Sequence, residues 1–89
     1  MNQPYLEVTF RLGKPIAAYL YLPRRPGDRA VRSEPIDDLI VIDRAEDGRP
    51  IGLELVDPGA VSVDCVNAVL RQLDQPELAA SELAPLHAA

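Results

Sequence analysis

The chain holds no tryptophan, a single cysteine and a single histidine among its 89 residues. One cysteine excludes an internal disulfide and a thiolate metal cluster. The lone His87 stands near the C-terminal end and leaves little material for imidazole catalysis. No stretch approaches the roughly 18 apolar residues of a membrane-spanning helix, so no membrane partner is expected. The opening Met-Asn-Gln-Pro-Tyr has neither the basic segment nor the apolar core of a secretion signal, which makes the cytoplasm the expected compartment. There is no glycine-rich phosphate loop. Nine prolines and five glycines are spread evenly, which points to many short elements instead of long helices.

What is present has the balance of a folded protein, with 47% hydrophobic and 26% charged residues. A chain of this length buries only about 60–65% of its extended surface on folding, so its core is thin and a homo-oligomer is expected. The net charge of −5 conceals an asymmetry. Residues 1–33 carry six bases (Arg11, Lys14, Arg24, Arg25, Arg29, Arg32) against Glu7 and Asp28, whereas residues 34–89 carry three bases against twelve acids. A net-acidic chain repels nucleic acid, so any such contact must come from the basic segment.

Residues 5–12 alternate as a half-buried strand, with Leu6, Val8, Phe10 and Leu12 expected inward. Gly13-Lys14-Pro15 has turn chemistry. Residues 17–22 form a second strand with Ala18, Leu20 and Leu22 inward and Tyr19 and Tyr21 on the other face, and Pro23 ends it. Arg24–Asp28 reads as an exposed loop turning at Pro26-Gly27, followed by a charged edge strand from Ala30 to Glu34. The unbroken run Leu39–Ile42 suits the central strand of the sheet. Glu46-Asp47-Gly48 is a hairpin signal leading into Ile51, Leu53 and Leu55. After Ser62 the apolar period becomes helical, through Val63, Val66, Val69, Leu70 and Leu73, with Ser62 as N-cap. Asp74 and Glu77 are placed to cap another short helix, and the end after Leu83 is expected to fray. The expected architecture is α+β: an antiparallel β-meander of about five short strands, with one C-terminal amphipathic helix packed on the sheet or on a dimer partner. Residues 1–75 form a single domain and residues 76–89 a short helix or frayed tail.

The blocks Phe10–Leu22 and Leu39–Asp57 resemble the short bacterial family catalogued as domain of unknown function 2283. The residues that carry the resemblance are Ile16-Ala17-Ala18-Tyr19-Leu20-Tyr21-Leu22, then the apolar strand Leu39–Asp43, the Glu46-Asp47-Gly48 hairpin and the return Ile51-Gly52-Leu53-Glu54-Leu55-Val56. The resemblance covers roughly residues 5–60. Acidic positions of the family's first block fall on Arg11 and Ile16 here, and the Arg-rich loop and the C-terminal tail lie outside the usual pattern. The resemblance implies a small β-sheet module with a helix and brings no activity with it.

Asp43, Asp47, Gly48 and Glu54 mimic the spacing of a calcium loop, but Ala45 stands where a ligand is needed and strands replace the flanking helices. An acidic hairpin explains the pattern, and no metal is expected. An enzyme using Asp43, Asp47 and Glu54 with a metal is the weakest of three readings. Cys65 has no base beside it in sequence, adjacent Asp37 and Asp38 point to opposite faces of a strand, and Ser33, Ser62 and Ser81 have no histidine partner. No catalytic residue and no cofactor is therefore expected. The leading expectation is a non-enzymatic protein–protein interaction module acting as a homo-oligomer, in one version an antitoxin-like acidic protein that masks a basic partner. The alternative is a nucleic-acid or phosphate-ligand binder through the loop from Arg24 to Arg32. The candidate partner-binding residues are Tyr19, Tyr21, Arg24, Arg25, Arg29 and Arg32.

Overall fold

The alternating and unbroken apolar runs build one antiparallel sheet in the computed structural model, which describes residues 3–87. Its strands are β1 (Tyr5–Arg11), β2 (Lys14–Tyr21), β3 (Arg32–Pro35), β4 (Ile40–Arg44) and β5 (Pro50–Leu55). A 3-10 turn (Pro58–Ala60), helices α1 (Val63–Gln72) and α2 (Ala80–Leu83), and a second 3-10 turn (Ala84–His87) follow. The class is α+β and the sheet has five strands, as the sequence led us to expect.

The order across the sheet is β1-β2-β5-β4-β3, which is not the expected meander. A meander would have put β3 in the centre, and the composition of β3 forbids that. All four of its residues are exposed, and Arg32, Glu34 and Pro35 suit only an edge. The loop after β2 therefore carries the chain to the far side of the sheet, and β5 returns to fill the gap between β2 and β4. This also corrects the assignment of Leu39–Ile42 to the centre. The central strand is β5, which buries Ile51, Gly52, Leu53 and Leu55.

Ala18, Leu20, Leu22, Ile40, Ile42, Leu53 and Leu55 form the buried inner face, as their spacing predicts, and share one cluster with Val61, Val66, Val69, Leu70, Leu83 and Leu86. Phe10 and Leu12 depart from the expected pattern, being 48% and 95% exposed. The first hairpin turns on Leu12 and Gly13, both at positive φ (52° and 78°), one residue earlier than Gly13-Lys14-Pro15 suggested. The register then jumps between Thr9 and Phe10, opposite an extra residue, Ile16, in β2. Since β2 pairs with β5 only from Ala18 onward, the tip of this hairpin runs past the rest of the sheet.

Ser62 caps α1 as expected, its Oγ accepting the Cys65 N–H at 3.0 Å. Asp74 does the reverse of its expected role. At φ 57° it ends α1, and Gln75 N–H donates back to the Leu70 carbonyl at 2.9 Å. The buried Asn67 then ties the next segment down, its Nδ2 donating to the Leu78 carbonyl at 2.9 Å while its Oδ1 accepts the Leu78 N–H at 2.8 Å. The end after Leu83 is ordered by Leu86, which is fully buried. Ala88 and Ala89 lie outside the described residues.

Candidate functional site: the outer face of the sheet

Period-two alternation puts the residues between the core positions on the opposite face, which no helix among the described residues covers. The register lines up Tyr5, Tyr21, Gly52, Asp43 and Ser33 across the five strands, and Glu7, Tyr19, Glu54, Val41 and Pro35 in the next row. A side chain at position 52 would occupy the space that Tyr19 crosses. A Cβ built there falls inside van der Waals contact of the Tyr19 hydroxyl and ring, so only glycine leaves the path open.

Across that gap the Tyr19 hydroxyl donates to Asp43 Oδ2 at 2.7 Å, and Ser33 Oγ donates to Asp43 Oδ1 at 2.7 Å. Arg24 Nη2 donates to the Tyr19 hydroxyl at 3.3 Å and its Nε to the Ile51 carbonyl at 3.1 Å, which holds the guanidinium 5.1 Å above the Tyr21 ring centroid. Tyr21 stacks on Tyr5 at 4.9 Å and meets Tyr19 edge-on at 4.7 Å. The Tyr5 and Tyr21 hydroxyls reach Glu7 at 3.3 and 3.4 Å. Burial, followed by the hydrogen bond to Asp43 and that carboxylate's charge, pushes the Tyr19 hydroxyl far above its ordinary range, so it remains a donor. The result is a hydrogen-bonded, stacked platform of three tyrosines and one arginine on an open sheet face.

Of the six candidate residues, Tyr19, Tyr21 and Arg24 come together here. Arg25, Arg29 and Arg32 do not. Arg25 and Arg29 are exposed on the β2–β3 loop, and Arg32 lies on β3 opposite Arg44. Arg29 borders an open cavity of about 500 Å³ between that loop and the β4–β5 hairpin. Arg49, which the sequence reading passed over, crosses the cavity to bind Asp28 at 2.7 Å and Asp47 at 2.6 Å. These bonds, with the Arg25 backbone N–H, hold the Asp28 carboxyl at about 2, and the same arginine lowers Asp47. The carboxylates of the calcium-like spacing thus face separate tasks. Asp43 serves Tyr19 and Ser33, Asp47 serves Arg49, and Glu54 lies exposed in the tyrosine row. Asp37 accepts the Leu39 and Ile40 N–H groups at 2.8 and 3.0 Å, in a turn and not on a strand. His87 Nε2 donates to the Val61 carbonyl at 2.6 Å, and Cys65 is exposed on α1. Asp43 and Ser33 are the other platform residues missed from sequence. The one available signal was Gly52, a glycine in the interior of a strand.

Residues 17–57 match the model of the family described as Protein of unknown function (DUF2283). Over that span the chain is similar to the DUF2283 family. No curated protein and no solved structure matches it. The matched segment contains Tyr19, Tyr21, Arg24, Ser33, Asp43 and Gly52, whereas Tyr5 and Glu7 join the platform from β1, outside the matched residues.

Proposed function

We propose that this protein is a non-enzymatic protein–protein interaction module that acts as a homo-oligomer and presents the Tyr5-Tyr19-Tyr21-Arg24 platform to a protein partner. The observation that carries this reading is the fixed stack of Arg24 over Tyr21, with Tyr5 and Tyr19 packed on the same ring. Tyrosine and arginine dominate binding hot spots because they offer large contact area at little further loss of freedom, and here that freedom is already spent. On this reading α1 covers the sheet's inner face and leaves the outer face for binding. The burial of Val66, Val69 and Leu70 in one cluster with Leu20 and Leu53 supports that division. The acidic residues 34–89 suit a basic partner, as in an antitoxin-like role. No helix among the described residues is long and apolar enough to cross a membrane, and the cytoplasm is the compartment we propose. The test is affinity co-purification with a tagged chain beside its Tyr21→Ala and Arg24→Ala variants. A protein retained by the parent and lost by both folded variants supports the platform, and equal retention by all three rejects it.

A second reading, a phosphate-bearing ligand on the loop, draws support from Arg25, Arg29 and Arg32, which form no ion pair among the described residues. It requires binding of a short single-stranded RNA that weakens with salt and with Arg25→Ala plus Arg29→Ala. Salt-independent or absent binding rejects it.

A further inference from the structure

The two edges of the sheet differ in a way that bears on self-association. At one edge β3 is four residues long, charged and closed by Pro35, a combination that discourages pairing. At the other edge β1 is seven residues long, contains no proline, and has one strand neighbour, β2, among the described residues. The outward backbone N–H and C=O groups of β1 are a template for another strand. The cover over β1 is also unfinished. Leu6 and Val8 are only half-buried against the core, and Phe10, on the same face, is 48% exposed.

The sequence of β1 says which strand fits. Laid antiparallel to itself with a twofold axis at Thr9, it sets Glu7 opposite Arg11 and Val8 opposite Phe10, twice each. Apart from the Thr9–Thr9 pair on the axis, these pairs are charge-matched or apolar, and the exposed Leu12 of the turn is carried towards Leu6 of the other copy. Shifting the axis to Val8 or Phe10 loses the Glu7–Arg11 match. We infer that two copies of this chain pair through their β1 strands, antiparallel about Thr9, into one continuous ten-stranded sheet whose outer faces join side by side. Because the contact is isologous and β3 closes both remaining edges, the assembly stops at a dimer and does not grow into a fibre. One short strand per copy makes a small interface, so a weak, concentration-dependent dimer is expected.

This inference rests on the proposed homo-oligomeric state and adds the surface and register. Its test is sedimentation from low micromolar to near-millimolar concentration for the parent, Glu7→Arg, Arg11→Glu and an equimolar mixture of the two variants, each checked for fold by circular dichroism. The parent is expected to show a concentration-dependent monomer–dimer equilibrium. Each variant alone sets like charges opposite at both symmetry-related pairs and is expected to dimerise about tenfold more weakly. The mixture restores both matches, so E7R with R11E is expected to regain the parent's affinity. A parent that stays monomeric throughout rejects the oligomer and this interface together. That result would leave the β1 edge to some other extended peptide. A parent dimer that neither variant weakens rejects β1 pairing alone and leaves the oligomeric reading standing. Weakening without recovery in the mixture rejects the register.

Discussion

Gly52→Ala is the sharpest probe of the outer face. Gly52 has no positive φ, so its backbone would accept alanine without strain, and what demands glycine is the Tyr19 side chain lying over it. The added methyl must push that ring aside, which breaks the 2.7 Å bond from the Tyr19 hydroxyl to Asp43 and disturbs the edge-on contact with Tyr21. A hydrogen bond to a charged acceptor contributes about 1.5–3 kcal/mol and an aromatic pair about 0.5–1.5 kcal/mol. Tyr19 is only half-buried, so we take the lower part of both ranges, about 2 kcal/mol together. Replacing glycine by alanine in a strand returns about 0.5–1 kcal/mol through the unfolded chain. The net expectation is a loss of about 1–1.5 kcal/mol, or a fall in Tm of about 5–10 °C for a domain this small. In a Tyr19→Ala background the obstacle is gone, and the same glycine-to-alanine change should stabilise. Urea melts of the four proteins in the double-mutant cycle, followed by far-UV circular dichroism, read both effects. Equal destabilisation in the two backgrounds would refute the steric argument and with it the claim that Gly52 exists to let Tyr19 reach Asp43.

Three further outcomes are expected. Asn67→Leu leaves the Leu78 N–H and C=O without their partners and should cost about 1–3 kcal/mol. Limited proteolysis should then cut first between α1 and α2, and a parent-like digestion pattern would contradict the tether. Ser62→Ala removes the acceptor for the Cys65 N–H and should cost about 1 kcal/mol, read as a lower urea midpoint with an unchanged slope. The carboxyl of Asp28 falls from 3.8 to about 2 on folding, so its contribution is complete above about pH 4 and is lost as pH drops towards about 2. Asp47 shifts in the same direction. Arg49→Met should therefore flatten the fall in Tm across that acid window while lowering Tm at neutral pH, and an unaltered acid limb would show that these pairs do not matter.

Elements whose identity rests on neighbours in the chain could be recognised before any coordinates. The inward set Ala18, Leu20 and Leu22, the Gly48 hairpin and the Ser62 cap each depend on a few consecutive residues whose periodicity or turn chemistry has one reading. The errors lie where two local signals compete. Asp74 followed by Glu77 is an N-cap pattern, yet the stop of α1 a residue earlier uses Asp74 as its left-handed terminus. Phe10 and Leu12 keep the alternation of a buried strand, but β5 ends before it reaches them and nothing among the described residues covers that part of the hairpin. The tail after Leu83 is rich in alanine, yet Leu86 is enough to hold it against the core.

Amino-acid order alone was sufficient to establish α+β class, the strand faces, the tyrosine pair and the acidic–basic division of the chain, because period and composition are properties of a linear string. Strand order, the bridge from Tyr19 over Gly52 to Asp43, the Arg24 stack and the Arg49 clamp came from three-dimensional closure. Tyr19 and Asp43 are separated by 24 positions and Arg49 and Asp28 by 21. Such pairs form only once β5 has entered the sheet between β2 and β4, and that placement follows from which strand could tolerate water along its edge.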